Sequence, residues 1–90
     1  MIPEVVSVES KEGYRLHLEF DDGTVGEVDV AALVPFDGVF EPLRDPAEFR
    51  KVRVDSESGT VAWPNGADLD PLVLYSKVTG AAVEELLASE

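Results

Sequence analysis

Trp63-Pro64-Asn65-Gly66-Ala67-Asp68-Leu69-Asp70-Pro71-Leu72-Val73-Leu74-Tyr75 compresses a strand end, a tight turn and a helix start into one short segment. Asparagine and glycine after a proline signal a turn strongly, because both tolerate the left-handed backbone region. Asp70-Pro71 reads as an N-cap followed by proline at the first helical position. Leu69 before the cap and Leu74 within the helix have the spacing of a hydrophobic staple. The segment therefore fixes where a strand hands over to a helix. It carries no evident chemistry.

The first thirty residues alternate with a period of two, the signature of half-buried strands. Val6 and Val8 are expected on one face of a first strand, and Tyr14, Leu16, Leu18 and Phe20 on one face of a second, with Arg15, His17 and Glu19 opposite. Gly26, Val28 and Val30 continue the pattern in a third. Lys11-Glu12-Gly13 and Asp21-Asp22-Gly23 end in glycine, as short hairpin loops prefer. From residue 31 to 51 the alternation is lost. Asp29 is positioned to cap a helical turn that Pro35 stops, and Asp45-Pro46-Ala47-Glu48 is a second helix start. Phe36, Val39, Phe40 and Leu43 supply apolar bulk in a stretch of packed turns. Val52-Arg53-Val54 and Thr60-Val61-Ala62-Trp63, joined by Ser56-Glu57-Ser58-Gly59, form a second hairpin. After a break at Thr79-Gly80, Val83, Leu86 and Leu87 mark the apolar stripe of a final helix.

The expected fold is α+β: an antiparallel sheet of about five strands, a three-strand meander plus a hairpin, with short helices on one face and a C-terminal helix. Residues 1–90 make a single domain, and a chain of this size buries only about 60–65% of its unfolded surface. Periodicity is compatible both with a hairpin that extends the meander and with one that folds over it.

Composition narrows the functional classes. Seven basic against 19 acidic residues give a formal net charge of −12. Such a surface repels nucleic acid and anionic lipid and steers a basic partner toward itself. It also keeps a small protein soluble, which is the simpler reading. The absence of cysteine removes disulfides and thiolate metal sites. No basic leader precedes an apolar run, and no apolar stretch reaches the ~20 residues of a membrane span. A cytoplasmic location, without membrane association, is the expectation.

Phe20-Asp21-Asp22-Gly23, Phe40-Glu41-Pro42-Leu43-Arg44-Asp45, Phe49 with Val52 to Asp55, and above all Trp63 to Leu69 with Leu74-Tyr75 resemble domain-of-unknown-function family 2442. The resemblance covers roughly residues 3–75, leaving 76–90 as a C-terminal helical extension. It implies an α+β domain similar to one that precedes a helix-turn-helix domain in some bacterial proteins. It also implies, for stand-alone members, a partner domain encoded next door in a suspected toxin–antitoxin pair. No catalytic residue is carried over by the resemblance. The segment after Tyr75 is too short for a helix-turn-helix domain, so no direct nucleic-acid contact is expected.

The candidate interaction surface comprises Trp63, Asn65, Asp68 and Tyr75 with Arg44 and Arg53. Trp63 has the character of an aromatic anchor and Asp68 that of a polar contact. Core packing of Trp63 and a side-chain-stabilised turn through Asn65, Gly66 and Asp68 account for every residue type in that block and are the favoured reading. Asp68 and Asp70 lack the oxygen spacing of a calcium loop. His17, the single histidine, lies between Arg15 and Glu19 with no nucleophile elbow in the chain, so a cross-strand surface contact is expected. Arg44, Arg50, Lys51 and Arg53 cluster in sequence and are expected to pair with Asp45, Glu48 and Asp55. No glycine pattern of a phosphate loop occurs. The expectation is therefore a non-enzymatic module without cofactor or metal.

Two functional classes remain in view. The first is a small acidic protein-interaction module, the neutralising partner of a basic protein encoded nearby. The alternative is a small-molecule-sensing domain, with a pocket built from Tyr14, Phe36, Phe40 and Trp63. The stripe of the final helix adds the expectation of a weak homodimer to which residues 80–90 contribute.

Overall fold

The computed structural model describes residues 3–81. Strands β1 (Val5–Lys11), β2 (Arg15–Phe20) and β3 (Val25–Asp29) form an antiparallel sheet in the order β1-β2-β3. Helix α1 (Val30–Leu33), a 3-10 helix over Gly38–Arg44 and helix α2 (Pro46–Phe49) follow. A separate hairpin of β4 (Arg53–Asp55) and β5 (Thr60–Ala62) precedes helix α3 (Pro71–Thr79). The five strands are thus divided between a meander and a hairpin, with helices alongside. The expected final helix and its stripe of Val83, Leu86 and Leu87, on which the homodimer expectation rested, lie outside the described residues.

The inner face of the meander is apolar as the alternation required. Leu16, Leu18 and Phe20 of β2 and Val28 of β3 are buried together with Leu43, Phe49, Val61, Trp63 and Leu74. Each such side chain contributes about 1.5–3 kcal/mol by leaving water, against about 0–1 for an exposed ion pair, so this face holds the sheet to the helices. β1 corrects the sequence reading. Val5 is 2% exposed and Val6 52%, so Val6 does not share the inner face with Val8. A bulge between Val5 and Ser7 inserts one residue and shifts the side-chain phase. Tyr14 also departs from the strand pattern. It sits in the β1–β2 turn with φ of 63°, a costly conformation for a bulky residue. Edge-on packing against Phe36 and Phe49, with ring centroids 4.9 and 5.4 Å away, holds it there.

Local capping chemistry sets the helices. Asp29, Asp45 and Asp70 accept from the backbone amides of Ala31, Ala47 and Leu72 at 3.1, 3.0 and 2.8 Å. Pro46 and Pro71 follow at the first helical position, where a missing N–H costs nothing. Leu69 and Leu74 enter the same buried cluster on either side of the Asp70 cap. Gly80, at φ of 80°, ends α3 by donating its amide to the Ser76 carbonyl at 2.8 Å.

The hairpin neither extends the meander nor lies apart from it. The Val5 amide donates to the Gly59 carbonyl at 3.0 Å, so the start of β1 meets the β4–β5 turn. α3 closes the other side. Its Val78 packs where Gly26 of β3 lacks a side chain, and the Tyr75 ring stands edge-on to Phe20 at 5.0 Å.

Candidate functional site

The block from Trp63 to Leu69 folds back along β5. The Trp63 amide donates to the Ala67 carbonyl at 2.9 Å and the Leu69 amide to the Val61 carbonyl at 3.3 Å. Trp63 is 1% exposed, and its indole N–H donates to the Phe49 carbonyl at 2.9 Å. This corrects its place on a candidate surface: the residue is a core member that ties β5 to the end of α2. Asn65 is exposed, yet both ends of its amide are engaged. Its Oδ1 accepts from the Ala67 amide at 3.2 Å, and its Nδ2 donates to the Val39 carbonyl at 2.8 Å. Asp68 is exposed beside the turn and pairs in a single bridge with Ala62.

Tyr75 lies at a different junction. Its hydroxyl donates to Oδ2 of Asp22 at 2.6 Å, while Oδ1 of Asp22 accepts from the Thr24 amide at 2.9 Å. Those two bonds favour the ionised carboxylate, the tyrosine bond most, and hold the Asp22 carboxyl below its ordinary value. Arg44 Nε donates to the Phe36 carbonyl at 2.8 Å, and the Arg44 carbonyl accepts from the Tyr14 hydroxyl. Arg53 is exposed on β4 opposite Ala62. The six candidates are therefore distributed over the turn, the 3-10 segment, the hairpin and α3 rather than gathered in one patch. The basic cluster pairs less than expected. Among the described residues Lys51 meets Glu48 at 2.9 Å, whereas Asp45 and Asp55 accept backbone amides instead.

What sequence reasoning missed is the composition of the outer sheet face. The register sets Lys11, Arg15 and Asp29 in one row, Glu9, His17 and Glu27 in the next, and Ser7, Glu19 and Val25 in the third. Within it Arg15 reaches Glu27 at 3.6 Å, and His17 Nδ1 lies 3.9 Å from the same carboxylate, an ion pair only when the imidazole is protonated. His17 thus makes the cross-strand contact its alternation predicted. Lys11 pairs with Glu9, whose carboxyl it holds below the ordinary value by hydrogen bond and charge, its own ammonium being held correspondingly high. Val25 of the third row is 55% exposed, and Val6, next to Ser7 at the bulge, 52%. Period two places β2 residues on this face, but cross-strand neighbours follow only from register.

Concavities among the described residues include two near the site. A cleft of about 490 Å³ between the β1–β2 turn and α2 has Tyr14 and Phe49 in its wall and Lys11 and Arg50 at its margin. A smaller one of about 220 Å³ is walled by Leu33, Phe40, Leu69 and Val73, with Asp68 and Asp70 beside them. The expected aromatic pocket does not form as one unit. Tyr14 lines the first cleft and Phe40 the second, while Trp63 leans on Phe49 at 5.8 Å inside the core. Among the described residues no cluster of histidine and acidic side chains is arranged to hold a metal, and no helix is long and apolar enough to cross a membrane.

A bulged three-strand meander, a hairpin braced by the Trp63 turn and a capped helix define a small α+β domain. The chain belongs to the family described as protein of unknown function DUF2442, whose model matches residues 5–80. The match takes in the whole of α3, further than the residue 75 limit of the sequence resemblance. No curated protein and no solved structure is significantly similar to the chain.

Proposed function

We propose that this domain is a protein-interaction module that recognises a basic partner through the outer face of its meander. The observation that carries the reading is the placement of exposed Val6 and Val25 at the end of a solvent-facing sheet whose neighbours include Glu9, Glu19 and Glu27. An antiparallel sheet can leave one face wet, and apolar contacts bordered by charge make an interface with its own rim. The net charge of −12 adds long-range attraction for a basic protein. The family-marking side chains of Trp63, Asn65 and Tyr75 are engaged in internal hydrogen bonds, which supports the sheet face over these three as the recognition surface. The finer form of the reading is a neutralising partner in a toxin–antitoxin-like pair. Capture of the product of the adjoining reading frame tests it: binding is stoichiometric at low salt, weaker at moderate salt and lost in a Glu9→Gln, Glu19→Gln, Glu27→Gln variant. Binding indifferent to all three substitutions contradicts it.

The larger cleft favours a second reading, a sensor of small organic anions, since Lys11 and Arg50 flank an aromatic wall. A ligand that binds only the folded state raises the melting temperature. A flat thermal-shift response across aromatic and aliphatic carboxylates leaves this reading without support.

A further inference from the structure

We infer that the outer edge of β3 is a strand-addition site for an extended segment of a partner protein, with a lysine or arginine two residues from an apolar side chain. The inference rests on the interaction reading and specifies its geometry.

β3 ends the sheet, and among the described residues no strand pairs with its far side. Backbone parity fixes which groups face outward. The Phe20 amide donates to the Thr24 carbonyl at 2.8 Å, and the Val30 amide to the Tyr14 carbonyl at 2.9 Å. With Leu18 opposite Gly26 and Leu16 opposite Val28, the even-numbered residues of this stretch bond to β2. Val25 and Glu27 therefore send their N–H and C=O groups away from the sheet. Gly26 between them is held from below by Val78 of α3, so the edge is braced rather than frayed.

The two edges of the sheet differ in the devices that discourage pairing. β1 carries the bulge at Val6, ends in Lys11 and is engaged at Val5 by the Gly59 carbonyl. β3, Val25-Gly26-Glu27-Val28-Asp29, has no bulge in its pairing with β2, no proline and no lysine. Bulges, prolines and charged side chains, lysine above all, are the usual means of blunting an edge. β1 has a bulge and a lysine, whereas β3 has only the carboxylates of Glu27 and Asp29, which repel acidic but not basic strands. Main-chain bonds supply affinity in strand addition and alternate side chains supply specificity. The outer-face side chains of β3 are Val25, Glu27 and Asp29. With the Asp29 carboxylate capping the Ala31 amide, Glu27 and Val25, two residues apart, select a basic and an apolar residue at the same spacing. A second copy fits poorly. Antiparallel pairing centred on Glu27 sets that carboxylate opposite itself and brings up a second net charge of −12.

Amide hydrogen exchange on the full chain tests the inference, with a blocked synthetic peptide that alternates threonine with lysine and valine as the probe. The Val25 and Glu27 amides are expected to exchange about tenfold more slowly with saturating peptide, while Gly26 and Val28, already bonded to β2, change little. Glu27→Pro removes one outward donor and is tolerated on an edge strand, so it abolishes this protection without unfolding the sheet. Glu27→Lys keeps the backbone edge and transfers the preference to the glutamate version of the peptide. Protection at Val25 and Glu27 in the absence of peptide, rising with protein concentration, overturns the inference in favour of self-pairing. Peptide binding without protection at these amides also overturns it. If a partner is still lost from the Glu9, Glu19, Glu27 variant while edge protection is absent, the sheet-face reading stands and the edge inference alone falls.

Discussion

The Tyr75 hydroxyl donates a 2.6 Å hydrogen bond to Oδ2 of Asp22, joining α3 to the β2–β3 turn across 53 positions of sequence. The same tyrosine stacks edge-on against Phe20, so one side chain seals both the polar turn and the apolar face beneath it. Two separate parts of the family resemblance, Phe20 to Gly23 and Leu74-Tyr75, are thereby one structural joint.

The joint has a pH signature. Asp22 is held below its ordinary 3.8 in the folded state, first by Tyr75 and then by the Thr24 amide. Its contribution to stability is therefore complete above the unfolded value and lost as pH falls through the folded one. Tyr75→Phe should move the Asp22 titration upward toward 3.8, as read by NMR of its carboxyl carbon. The variant should also be less stable than the parent at neutral pH, and this gap should narrow in acid. An unmoved titration removes the proposed cause.

Gly26 marks a close approach that side chains cannot share. A Cβ there falls 2.6 Å from Cγ1 of Val78. Valine is stiff at χ1, so Gly26→Ala should destabilise by about 1–3 kcal/mol through overpacking. Combining it with Val78→Ala should recover part of that loss, a coupling that a double-mutant cycle in urea measures. Strict additivity contradicts the contact.

Trp63→Phe separates structure from recognition. It removes the indole N–H from the buried Phe49 carbonyl, which keeps only the Val52 amide at 3.3 Å, at a cost of about 1 kcal/mol. Chemical denaturation should show the loss, while partner capture by the folded variant should be unchanged. Full stability with failed capture reverses the assignment.

Asp70→Ala should cost about 1 kcal/mol, because the Leu72 amide loses its side-chain acceptor. Asp70→Asn should retain most of the stability, since the asparagine carbonyl can accept the same bond. Equal loss in both variants points to charge rather than capping.

The helix starts were legible because capping is local. Asp29, Asp45 and Asp70 each accept from an amide two residues on, an interaction encoded by neighbours. The inner face of β2 was legible for the same reason, since period two needs no partner. Val6 was misassigned because a bulge exists only relative to the paired strand. Tyr14 was read as a strand residue because its alternation with Leu16 was intact, although distant Phe36 and Phe49 hold it in the turn. Asn65 was recognised as a turn former, but its bond to the Val39 carbonyl spans 26 positions and left no local trace. The outer sheet rows required register: alternation placed His17 on this face and predicted a cross-strand contact, but only the strand pairing names Glu9 and Glu27 as its neighbours.

The central claim, recognition by the sheet face rather than by the Trp63–Asp68 turn, rests most directly on one comparison. The equilibrium affinity of the adjoining-frame protein is measured at fixed low salt for the parent, for Glu9→Gln with Glu19→Gln and Glu27→Gln, and for Asn65→Ala with Asp68→Asn. The sheet-face variant should lose about tenfold or more, as the removal of several complementary charges requires, and the turn variant should match the parent once both are shown to be folded. An unchanged sheet-face variant beside a weakened turn variant would place recognition on the turn and contradict the account.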